Sequence, residues 1–292
     1  MKRRLLYDAK AFLFTLPALI PLIIFWFIPL GYVIYLSMTE WDFMNPVKVF
    51  VGLENYRNLF SNPQFYDALR ITLLFCVGSV IPIIIIGLLL ALLFQQRAKG
   101  NALIQTLLFS PWVTPTVAVS IVWTWIYEPQ VGLANLLLSW VGQDPIRWLE
   151  NPSWALIAVL IVTIWKAAGW SMIFYMVAIR NVPPDLLQAA ELDGAGYWNR
   201  LRYVTLPLIS PTTFFLIIVQ MIQAIQAYDQ INVLTQGGPA GSTRTLLYLY
   251  YQSAFTSYRI GEASSIAITI IVGCLILSAT SFFVARKTVH YH

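Results

Sequence analysis

Four glutamines, Gln220, Gln223, Gln226 and Gln230, recur at steps of three and four residues in an otherwise apolar stretch. Turned at about 100° per residue, they fall within an arc of about 120°, with Asp229 just beyond it. An amide carries both donors and acceptors, so such a row can meet a neutral, hydroxyl-rich solute reversibly without burying a charge. The same groups can also glue neighbouring helices together. Lys166 interrupts a second apolar run, among Trp165, Gly169 and Trp170. About 14 residues separate it from either end of that run, roughly 21 Å along a helix, too deep for its stem to reach a surface. A cation there lines a polar path or its gate, or is held by an ion pair or a carbonyl of a neighbouring helix. Trp165 and Trp170 either present flat apolar faces to sugar rings or face lipid.

Other chemistries lack the residues they need. The two histidines, His290 and His292, stand in the terminal tail, so the apolar runs hold no imidazole for nucleophile activation or metal binding. Cys76 and Cys274 sit in apolar runs with no second Cys or His at ligand spacing. No Gly-x-x-x-x-Gly-Lys-Ser/Thr string occurs, so this chain is not expected to cradle phosphates or hydrolyse ATP itself.

The elements that carry these residues follow from composition. With 59% hydrophobic and 11% charged residues over 292 positions, the chain cannot cover itself in water. Its mean hydropathy is +0.70. Six long apolar windows appear: Ala11 to Thr39, Ile71 to Phe94, Ala102 to Tyr127, Asn151 to Ile179, Tyr203 to Tyr228 and Ala263 to Ala285. Each reaches the roughly 20 residues that a helix needs to cross a bilayer. The expectation is an all-α polytopic membrane protein with six transmembrane helices. The first window is too long for the h-region of a signal peptide and is read as a retained helix.

Basic residues assign a side to each loop. Lys2, Arg3, Arg4, Lys10, Arg97, Lys99, Arg180, Arg200, Arg202, Arg286 and Lys287 fall in the termini and the even-numbered loops. The odd-numbered loops hold Lys48, Arg57, Arg70, Arg147, Arg244 and Arg259 beside most of the acids. Both termini are then expected in the cytoplasm, and the basic surplus needs no nucleic acid to explain it. Trp41, Trp140, Trp148 and Trp154, in or next to the odd loops, read as interfacial anchors. Pro111 and Pro115 in the third window, and Pro207 and Pro211 in the fifth, are candidate hinges.

The fourth loop is more than a connector. Pro183 and Pro184 end a helix, Asp185 is placed to cap a short new one, and Gly194 breaks it. A second short helix, Tyr197 to Val204, sets Tyr197, Leu201 and Val204 on one face. Such a foot wants a partner groove or lies flat in the lipid interface.

Within it, Gln188-Ala189-Ala190-x-x-Asp193-Gly194-Ala195, followed by Leu201, Val204 and Leu206-Pro207, resembles the EAA loop of inner-membrane permease subunits of binding-protein-dependent ABC importers. The stretch Tyr228 to Pro239, with Thr235, Gly237, Gly238 and Pro239, is similar to an outer loop of the carbohydrate-uptake branch, as is Val51 to Tyr56. The likeness extends from about Ala68 to Arg286, and two positions depart from it: Gln188 stands for the family's Glu, and Leu201 for its aromatic residue.

The resemblance implies coupling helices between the fourth and fifth spans, at Gln188, Ala189, Ala190, Asp193, Gly194, Ala195, Leu201 and Pro207. It implies a second homologous permease, two ATP-binding subunits that hold ATP and Mg, an extracytoplasmic solute-binding protein, and a prokaryotic inner membrane. This chain itself would need no cofactor and no metal. A tail and first span (1–67), a transporter domain (68–286) and a cytoplasmic tail (287–292) are the expected divisions. The leading expectation is a non-enzymatic importer subunit for a sugar, glycoside or polyol, with Trp165, Lys166, Trp170, Gln220, Gln223, Gln226 and Asp229 along its path. The competing class, an ion-coupled secondary transporter, predicts repeated halves and buried midplane acids, which the sequence does not show.

Overall fold

The computed structural model describes residues 2–95 and 100–288, so Arg97, Lys99, His290 and His292 lie outside the described residues. Helix α1 (Lys2–Leu22) passes through a π-turn (Ile23–Phe27) into α2 (Ile28–Ser37). That wide turn precedes Pro29, whose missing N–H would leave the Phe25 carbonyl without its usual helical partner. Strands β1 (Thr39–Glu40) and β2 (Val49–Phe50) pair antiparallel, and α3 (Glu54–Ser61) follows. Next come α4 (Pro63–Phe94), α5 (Asn101–Val113), α6 (Thr116–Ile126), α7 (Leu133–Trp140) and α8 (Pro152–Arg180). Then α9 (Pro184–Leu192), α10 (Tyr197–Arg200), a π-turn (Leu201–Thr205), α11 (Leu206–Leu208) and α12 (Ser210–Ile225) lead to α13 (Asp229–Leu234). The chain closes with α14 (Leu246–Tyr251), a third π-turn (Gln252–Thr256) and α15 (Ile260–Thr288).

Among the described residues, Phe12–Ser37, Pro63–Phe94, Pro152–Arg180 and Ile260–Ser281 are long and apolar enough to cross a membrane. Two bent pairs bring these four to six if each pair is one span. The third window is therefore not one straight helix. It breaks between α5 and α6 with a 102° turn at Thr114 and Pro115. Proline drives its predecessor into extended backbone, and Thr114 has ψ 136°. Pro111 stays inside α5. The fifth window bends by 62° between Tyr197–Leu208 and Ser210–Ile225 and stops at Ile225, short of the expected Tyr228.

The chain divides into two compact units, Met1–Pro63 with Leu249–Ile271, and Gln64–Tyr248 with Val272–His292. In the first, Asn55 Nδ2 donates to the Ser37 and Thr39 carbonyls, both at 2.9 Å, and Tyr56 Oη bonds Ser37 Oγ at 2.8 Å. The Val51–Tyr56 stretch thus closes the end of α2. Phe14, Phe25 and Trp26 on the first span face outward.

In the second unit α8 is the central post. Its buried residues include Ala155, Val159, Val162, Met172 and Tyr175. Neighbouring backbones approach it closely: a Cβ on Gly169 would collide with the Leu108 carbonyl of α5, and one on Gly87 of α4 would sit 2.6 Å from Ser171 Cβ. Toward its C-terminal end a cluster of Ala91, Met172, Tyr175, Met176, Val182, Ile209 and Leu216 forms, with Leu187, Leu206 and Leu208 packed against it. Trp148, expected as an interfacial anchor, is buried instead, its Nε1 donating to Asn135 Oδ1 at 3.0 Å. Trp140 is exposed.

Candidate functional site

A cavity of about 370 Å³ opens between α4, α5, α6, α8, α12 and α13. Lys166, Gln220, Gln223, Gln226, Asp229 and Gln230 all line it, with Ser79, Thr116, Thr163, Trp112 and Tyr228 completing its polar and aromatic wall. The glutamines do not share one helix, as a continuous row would require. Gln220 and Gln223 stand on α12, Gln226 caps its end, and Gln230 belongs to α13. Convergence comes from α13 packing on α6 and α8. Gln220 is only 3% exposed, and its Nε2 has no hydrogen-bond partner. Gln223, Gln226 and Asp229 are exposed to the opening.

Lys166 Nζ donates to the carbonyls of Trp112 at 3.1 Å and Thr114 at 3.0 Å, and lies 5.7 Å from the Trp112 ring centre. Trp165 and Trp170 are not on the cavity wall. Trp165 lines a separate apolar cleft of about 970 Å³ and meets Trp123 edge-on at 5.5 Å, while Trp170 stacks on Trp112 at 5.1 Å. The rings that do face the cavity are Trp112, which is no candidate in the sequence, and Tyr228, which stands there only as the head of the outer-loop stretch. The two prolines bracketing Trp112 were the available signal.

Between α8 and α12 the chain builds a foot. Helix α9 starts at Pro184, with Pro183 rather than Asp185 in the capping position; Asp185 lies in the first turn and makes no cap bond. Gly194 adopts φ +81°, and the Ala195 N–H reaches back to the Ala190 carbonyl at 2.9 Å, a left-handed helix ending. Glu191 on α9 and Arg200 on α10 pair at 2.6 Å. The second short helix does not stop at Val204 but continues through the π-turn into α11, as far as Leu208. Gln188, Ala189 and Asp193 are exposed, Ala190 and Ala195 half-buried, and Leu201 buried, with Pro207 in the first turn of α11. Leu192 is 90% exposed and Trp198 76%.

The loop after α13 is tightly knit. Gly237 has φ +76° and lies against the Tyr248 ring, and the Gly238–Pro239 bond is cis. The Gly238 carbonyl accepts from Thr243 Oγ1 at 2.8 Å, and Thr235 and Thr243 hydroxyls bond each other at 2.8 Å. Among the described residues no group of three or more His, Cys, Asp or Glu is placed to hold a metal ion.

Residues 83–287 match the family model described as the binding-protein-dependent transport system inner membrane component. The chain is 33% identical over 271 residues to the probable ABC transporter permease protein YurN of Bacillus subtilis, covering 91% of this chain and 92% of that one. It is 33% identical to the trehalose/maltose transport system permease protein MalF of Thermococcus litoralis, covering 94% and 92%. A bacterial ABC transporter involved in import of the acidic polysaccharide alginate superposes with a TM-score of 0.82 at 26% identity, over 98% of both chains. Proteins of this family are transport permeases and not enzymes, ATP hydrolysis residing in a separate subunit. The chain belongs to the binding-protein-dependent transport system inner membrane component family, the permease subunits of ABC importers.

Proposed function

We propose that this permease passes a neutral, hydroxyl-rich solute, a sugar, glycoside or polyol, through the cavity lined by Lys166, Gln220, Gln223, Gln226, Asp229 and Gln230. The observation that carries this reading is the convergence of uncharged amides from α12 and α13 on one cavity in a chain of import permeases. Its volume, about 370 Å³, suits a small ligand. One cation and one carboxylate leave the wall without net charge, which is compatible with a neutral cargo. Relatives named for trehalose/maltose and for lactose support the sugar class. Trp165 and Trp170 back the path rather than line it.

The foot is the ATPase contact. Leu187, Leu206 and Leu208 face the buried cluster, leaving Leu186, Leu192, Trp198 and Tyr203 for a partner groove. Gln188, Ala189, Ala190, Asp193, Gly194, Ala195, Leu201 and Pro207 shape that contact, and ATP and Mg belong to the two ATP-binding subunits. With the foot and both termini in the cytoplasm of a prokaryote, the loop at Thr235, Gly237, Gly238 and Pro239 meets the solute-binding protein. A structure titled as the alginate transporter in complex with its periplasmic protein supports such a partner. A second homologous permease completes the pore. Residues 68–286 form the transporter domain, with 1–67 and 287–292 flanking it.

Reconstitution with both ATPase subunits, the second permease and the binding protein tests the reading. The expected result is ATP-dependent uptake of a labelled sugar that requires the loaded binding protein. Uptake driven by an ion gradient with the ATPases omitted would refute it.

A further inference from the structure

We infer that Lys166 is a positioning residue whose ammonium pins the bend of the third span to α8. The 102° break takes backbone carbonyls out of the helical ladder, and inside a membrane span a carbonyl left without a partner is costly. Some are met locally: Ser110 Oγ donates to the Leu107 carbonyl at 3.0 Å and Thr114 Oγ1 to Ser110 at 3.1 Å, while the Val119 N–H to Pro115 bond at 3.1 Å opens α6. The Trp112 and Thr114 carbonyls, turned away from helical partners by the bend, are taken by Lys166 instead. Two protons of the ammonium are thereby committed to backbone, and its charge sits at the carbonyl end of α5, where a cation is favoured. The ion pairs among the described residues are Arg147–Glu150, Arg200–Glu191 and Arg259–Glu262, none of which engages Lys166.

The pinned bend is linked onward. Trp112 stacks on Trp170 at 5.1 Å, Trp170 meets Phe174 at 4.5 Å, and Phe174 meets Phe215 at 5.6 Å. This row of rings runs from the bend down α8 to the first turns of α12, the helix that follows the foot. With the pin in place, α5 and α6 hold one angle and move only with that row; without it the angle loosens.

The test places spin labels at Leu103→Cys on α5 and Trp125→Cys on α6, both exposed, in the assembled transporter with Cys76 and Cys274 replaced by Ser. The parent should give one narrow distance distribution. Lys166→Met, which keeps bulk and removes donors, should widen it at least about twofold and cut the maximal uptake rate roughly tenfold, equally for two different sugars. The half-saturating concentration of loaded binding protein should not change. Lys166→Arg, whose fork can donate to both carbonyls, should restore the narrow distribution and most of the rate. An unchanged distribution in Lys166→Met, with loss for one sugar only, would make the lysine a cargo contact and overturn the inference. If Lys166→Met does not assemble, Lys166→Arg decides, since a widened distribution there overturns it. The label distances need no cargo, so the inference stands or falls apart from the proposed path.

Discussion

Gln220 keeps a hydrogen-bond donor buried and unused, which a protein retains only against its own stability. Replacing it by Met, of similar length and no polar tip, is expected to raise thermal stability in detergent by about 1 kcal/mol. Sugar uptake should fall at least tenfold while the complex still assembles, as read by melting temperature and reconstituted transport. A variant that loses stability and keeps transport would show the amide to be structural glue. At this scale the sequence announces its polar residues plainly, because Lys166 and the glutamines stand out in apolar runs. It hides the rings that accompany them. Trp112 joins the cavity only because the chain turns at Pro115, whereas Trp165 and Trp170 attract notice by adjacency to Lys166 and point elsewhere.

Short-range chemistry governs the elements. The foot turns at Gly194 with φ +81°, a conformation that costs a β-branched residue about 1–2 kcal/mol. Gly194→Val should therefore blunt stimulation of ATPase activity by the loaded binding protein, leaving capture of that protein intact in a pull-down. Gly169→Val should be harsher, since its Cβ would strike the Leu108 carbonyl. A loss of about 1–3 kcal/mol is expected, visible as a lower melting temperature and poor assembly. The helices themselves were legible from apolar runs, because lipid leaves the backbone no other choice. Their breaks were not. A proline marks a candidate hinge, yet Pro111 remains within α5, where Ser110 Oγ serves the Leu107 carbonyl that it frees, while Pro115 ends the helix.

For the whole molecule, the proposed division of labour puts force on one face and recognition on another. Leu192→Glu, a charge on the most exposed apolar residue of the foot, is expected to strip the ATPase subunits from the purified complex. Binding-protein capture should persist, and loss of both together would argue against separate contacts. The foot and the fifth span also share one continuous rod from Tyr197 to Leu208, turned by 62° before α12. A crank of this kind carries the motion of its handle into the shaft. Freezing the ATPases with a transition-state mimic should therefore lock the pore in a single access state, with neither leak nor partial opening.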